Sequence, residues 1–130
     1  VADFRLDPDG PHSDDYTRHA ANAMSEAVRV LNHATRTSDG VTYPSTVHDV
    51  LGSLRTSVQR TEQVLQQLDG HLVRFDRDEL ADSATGNPSL TLGTARLEID
   101  FAIPAAAKLA GYLDQAFNAT SGLYLRDGGE

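Results

Sequence analysis

The sequence predicts an all-α protein, an antiparallel bundle of three long helices, and three observations predict it. Apolar residues recur at steps of three and four through most of the chain, the period of a helix face. Each apolar run opens on a good helix start: Ser13, Thr46, or Asn87 followed by Pro88. A chain of 130 residues that is 39% hydrophobic is long enough to bury one core, and the absence of Cys leaves no disulfide to replace one.

Residues 1–12 read as an acidic, flexible arm, because Pro8, Gly10 and Pro11 interrupt any regular element. Residues 13–122 form the bundle. The first helix spans 13–38: Ser13 caps it, Asp14 and Asp15 meet the positive end of its dipole, and Tyr16, Ala20, Ala23, Met24, Ala27, Leu31 and Ala34 make its stripe. Gly40 is suited to the left-handed position that stops it.

The second helix, 46–80, carries the strongest pattern. Thr46 and Asp49 resemble a capping box. Val47, Leu51, Leu54, Val58, Thr61, Leu65, Leu68, Leu72 and Phe75 then alternate steps of four and three, a heptad seam along a rod of about 43 Å. Val50 and Val64 widen the seam, so the rod is expected to face two neighbours, while Gly70 falls on the opposite side. Leu65 and Leu68 sit mid-seam, and truncating either to Ala is expected to cost about 2–5 kcal/mol.

The third segment, 88–120, supports two readings. Leu92, Ala95, Ile99, Ala102, Ala106, Leu109, Leu113 and Ala116 step by three and four, whereas Leu97, Ile99, Phe101 and Ile103 alternate as a half-buried strand would. A helix is preferred, since a lone strand has no partner in an otherwise helical chain, and Pro104 then marks a kink or break in it. Gly122 ends the helix, and residues 123–130 form a C-terminal tail.

The net charge of −8 is local. Residues 1–15 carry five Asp against Arg5, and residues 76–82 carry Asp76, Asp78, Glu79 and Asp82 against Arg77. Cations are scattered singly, which argues against a nucleic-acid partner, and no apolar run or basic amphipathic helix suits a membrane. The cytoplasm is the expected location, with export lacking a cleavable signal as the alternative. Ten of the eleven basic residues are Arg, a composition that fits a GC-rich bacterial genome.

Candidate chemistry is sparse. Asp76, Asp78, Glu79 and Asp82 are the one dense carboxylate cluster and the candidate metal site, for Mg²⁺ or Ca²⁺, although Leu80 and Ala81 break the calcium-loop pattern. Glu79 and Asp82 also resemble the second metal-binding pair of all-α nucleoside triphosphate pyrophosphohydrolases, whose first pair is absent upstream. His19, Glu26 and His33 share a face but are separated by about 10.5 Å per step, too far to hold one ion. Ser45, His48 and Asp49 have the residue types of a hydrolase triad, yet a helix start explains them. No catalytic residue and no cofactor is expected.

The small, acidic, cysteine-free chain of long helices, opening Phe4-Arg5-Leu6-Asp7-Pro8-Asp9, resembles ESX-type helical proteins associated with type VII secretion over residues 4–75. That resemblance implies a secreted or partner-bound helical hairpin without catalysis. The chain has no Trp for the family's Trp-x-Gly turn, and neither Tyr112 nor Tyr124 is followed four residues on by an acid, as the secretion signal requires. Gly128-Gly129-Glu130 is similar to the conjugation tail of the actinobacterial ubiquitin-like modifier, over three residues only. The expected function is a non-catalytic helical interaction module that takes a protein partner or a second copy, with a Mg²⁺-dependent enzyme built on the 76–82 carboxylates as the alternative.

Overall fold

A computed structural model describes residues 4–75 and 78–126. The chain is all-α, with helices α1 (Asp14–Ala34), α2 (Pro44–Arg74) and α3 (Pro88–Thr120), and no strand occurs among the described residues. It divides into two units, Val1–Thr42 and Tyr43–Glu130.

In the first unit, α1 starts where the sequence expects, because the Ser13 hydroxyl accepts the Tyr16 N–H at 3.1 Å and satisfies one of the open donors of the first turn. The arm before it lies on the helix. Tyr16 Oη accepts the Asp7 N–H at 2.6 Å and donates to the Arg5 carbonyl. The Phe4 and His12 rings sit 5.1 Å and 5.0 Å from the Tyr16 ring.

α1 ends at Ala34, four residues short of the expected 38. The Thr35 N–H and hydroxyl both donate to the Leu31 carbonyl, at 2.9 Å and 2.7 Å, and close the last turn. Gly40 is not left-handed; among the described residues only Gly10 and Gly86 have positive φ. Its need for glycine is spatial, because the chain folds back so closely that a Cβ would lie 1.8 Å from the Ala34 carbonyl oxygen.

The second unit is a hairpin of α2 and α3. The capping box expected at Thr46 and Asp49 does not form the helix start. Pro44 takes the first helical position and Tyr43 the cap, since proline brings a suitable φ and lacks the N–H that would be left open there. At the other end α2 stops at Arg74 instead of 80, and Phe75 is extended at ψ 134°. Continuing would have brought Asp76, Asp78 and Glu79 into the last turns, against the negative end of the helix dipole.

α3 matches its expected bounds. Asn87 Oδ1 accepts the Leu90 N–H at 3.2 Å, and the helix runs through Pro104, so the alternation of 97–103 is helical.

His48 bonds Thr120 (3.0 Å), Arg55 bonds Asp114 (2.9 Å) and Arg96 grips Asp69 through two nitrogens (2.9 and 3.3 Å). The pairing number rises on α2 as it falls on α3, so the two helices are antiparallel.

Their contact is displaced from the expected seam. α2 meets α3 along His48, Gly52, Arg55 and Asp69, one position beyond the Val47, Leu51, Leu54 and Leu68 line. Gly52 is buried because the Phe117 ring rests where a side chain would be; a Cβ there would meet Phe117 Cε1 at 2.7 Å. The bare backbone at 52 draws the helices together, and the apolar stripe is turned to one side. Leu51, Leu54, Val58 and Leu65 are half-buried, while Leu68, expected in the core, is 48% exposed. The buried apolar side chains of the described residues are Leu92 and Ala110.

Candidate interaction surface

α3 has two faces of use. Toward α2 it presents Leu92, Arg96, Ile99, Ile103, Ala106, Ala110, Leu113, Phe117 and Thr120, in unbroken steps of four and three, and all are buried or half-buried. Facing away are Leu90, Leu97, Phe101 and Tyr112, which are 59%, 53%, 64% and 59% exposed. Their separations of seven, four and eleven residues are whole turns at 3.6 residues each, so they form one stripe. A second apolar stripe on a helix that is already packed, here interrupted by Lys108 between Phe101 and Tyr112, is a candidate contact face.

The stripe expected for α3 shares Leu92, Ile99, Ala106 and Leu113 with the packed line but takes Leu109, 48% exposed, where Ala110 is buried, and it misses the second line. The signal was present in the spacing of 90, 97, 101 and 112. It was obscured because Leu97 and Phe101 were absorbed into the strand-like alternation.

Exposed apolar residues are not confined to α3. On α2, Val47, Val64, Leu68 and Val73 are exposed, as is Phe75 just beyond its end, and on α1 no residue is buried, with Met24, Val28 and Val30 all open. Lone exposed apolar residues are ordinary, whereas aligned ones mark a contact face.

The candidate metal residues have other surroundings. Asp82 organises the connection between α2 and α3: its Oδ1 accepts the N–H groups of Ala84 (2.8 Å) and Thr85 (3.1 Å), and its Oδ2 accepts the Thr85 hydroxyl (2.8 Å) and that of Thr91. These bonds, with Thr91 the strongest, hold its carboxyl well below the usual carboxylate range. Asp78 and Glu79 are exposed, and Asp76 lies outside the described residues. Among the described residues no three His, Asp or Glu side chains converge as metal ligands.

Nor do Ser45, His48 and Asp49 assemble as a triad, since His48 Nδ1 turns to Thr120 and its ring stacks 4.0 Å from that of Phe117. On the other approach to Phe117, the Arg55 guanidinium lies 4.3 Å from the ring centroid. The open hollow of about 460 Å³ beside it is lined by Arg55, Arg60, Ser57 and Thr56. Both hydroxyls there are spent on backbone carbonyls, Thr56 on Gly52 and Ser57 on Ser53. His19 packs its ring edge-on at 5.6 Å from Phe4.

No described helix is long and apolar enough to cross a membrane. Comparison with protein-family models, with curated proteins and with solved structures finds no match to this chain.

Proposed function

We propose that the protein is a non-catalytic helical interaction module, which assembles with a second copy or with a helical partner through apolar helix faces. The observation that carries this is the aligned exposure of Leu90, Leu97, Phe101 and Tyr112 on a helix whose other side is already packed. Burial of such a stripe is favourable by roughly 25 cal/mol per Å² of apolar surface removed from water. Lys108, whose ammonium lies 6.0 Å from the Tyr112 ring centroid, is the one charge on the stripe, and the acidic segments at the N-terminus and at 76–82 discourage nonspecific contacts. The resemblance to ESX-type proteins points the same way, toward a partner-bound helical hairpin.

Sedimentation from micromolar to millimolar concentration, at low and high salt, tests the reading. Association that changes little with salt is expected, because screening weakens contacts between charges and not burial. A strict monomer that also binds no hydrophobic dye would overturn it.

A further inference from the structure

The outer stripe of α3 is symmetric about Phe101. Leu90 precedes it by eleven residues and Tyr112 follows it by eleven, while Leu97, four before, is matched by exposed Ala105, four after. The spacing is the same in both directions, with Thr94 and Lys108 as the one polar mirror pair, and it suits an isologous contact, in which each residue of one copy meets its mirror position on the other. The geometry points to a second copy of this chain as the occupant, with two α3 helices packed antiparallel across a twofold axis at Phe101. In this register Leu90 of each copy meets Tyr112 of the second, and the two Phe101 rings face each other.

Charge favours the same direction. Glu98 lies on the N-terminal side of the axis and Lys108 on the C-terminal side, and both are exposed. Antiparallel pairing brings Lys108 of each copy within about one turn, roughly 6 Å, of Glu98 of the other, whereas parallel pairing would set like charges side by side. Small residues border the stripe: Gly93 and Gly111 have nothing within 4 Å of a would-be Cβ.

The stripe runs about 33 Å on a helix about 10–12 Å wide, a footprint on the order of 400 Å² per copy. At about 800 Å² for the pair it falls short of the roughly 1,000 Å² of a stable interface, so a weak, transient association in the micromolar range or weaker is expected. This proposal rests on the reading of the chain as an interaction module and names its partner.

The chain contains no Cys, so single cysteines report the register directly. Helix axes about 8–10 Å apart bring facing Cα atoms to roughly 4–6 Å, within disulfide range. In the full-length chain, Phe101→Cys should form a disulfide-linked dimer under mild oxidation. Leu90→Cys and Tyr112→Cys should each stay unlinked alone, since the two copies of either residue lie about 33 Å apart, and should cross-link when mixed. All three positions are exposed, and circular dichroism checks that each variant keeps its helices.

If the wild-type protein associates in sedimentation while Phe101→Cys and the Leu90→Cys and Tyr112→Cys mixture fail to cross-link, this register is overturned and the interaction reading stands. Equal cross-linking of Leu90→Cys alone also overturns it. A wild-type chain that stays monomeric and binds no dye removes both.

Discussion

A methyl group added at residue 52 has no room to exist. The Phe117 ring stands 2.7 Å from where that carbon would be, and the ring is itself held between His48 and Arg55. Gly52→Ala should therefore destabilise the hairpin by about 1–3 kcal/mol despite alanine's better helix propensity, because the overpacking cost exceeds the propensity gain. Gly70→Ala makes the opposite case, since its Cβ would meet nothing within 4 Å. It should be neutral or stabilise by up to about 1 kcal/mol, and denaturant midpoints of the two variants check both signs.

Asp82 is the other residue whose surroundings dictate a measurement. Its carboxylate accepts four hydrogen bonds that only the ionised form takes without rearrangement, so its pKa falls below the ordinary 3.8. A depressed folded-state pKa contributes stability that is fully present above the unfolded value and is lost as pH falls through the folded one. The turn should thus survive mild acid and give way only in stronger acid. An NMR titration in which the Asp82 carboxyl moves at the ordinary 3.8 would contradict this, and Thr91→Val should raise the Asp82 midpoint.

At the scale of the helix, the apolar period told what would be helical but not where two helices would touch. Thirty-odd residues at steps of three and four identify α2 and α3 from sequence, and the Asn87-Pro88 start fixes the first residue of α3. The contact line was not legible, because it is set by the absence of a side chain at Gly52 and by polar ties such as Arg55 to Asp114, neither of which a hydrophobic pattern weighs. Helix ends were misplaced where two local preferences competed: Pro44 against Thr46 for the first turn, and acidic residues against the seam for the last. The carboxylates at 76–82 were conspicuous in sequence for their density. What could not be read there was that Asp82 faces Thr85 and Thr91 across the turn.

A consequence for mutagenesis follows at the same scale. Leu92, 8% exposed, should cost about 2–4 kcal/mol on truncation to Ala, whereas Leu68→Ala should cost less than about 1 kcal/mol in the isolated chain. Equal losses in chemical denaturation would return Leu68 to the core. Pro104→Ala should raise the midpoint, since alanine restores an N–H to the interior of α3 at an exposed position.

For the molecule as a whole, a helix clothed with apolar residues on both sides makes stability depend on concentration. If the outer stripe is covered only in the assembled state, association is linked to folding by mass action, and the thermal midpoint should climb as protein concentration rises. Leu97→Ser combined with Phe101→Ser should abolish that climb and leave the dilute-limit stability within about 0.5 kcal/mol of wild type, because both side chains are largely exposed in the single chain. Scanning calorimetry at several concentrations reads both quantities.

The ties across the hairpin are graded in another respect: Arg96 is 27 residues from Asp69 along the chain, Asp114 is 59 from Arg55, and Thr120 is 72 from His48. Closing a loop costs entropy that grows with its length, so the contact nearest the turn is the least expensive to make first. The helices should zip from the turn toward the open end, each closed tie shortening the remaining loop. The Phe117 stack at that open end then forms last, and Gly52→Ala should speed unfolding while leaving the refolding rate almost unchanged.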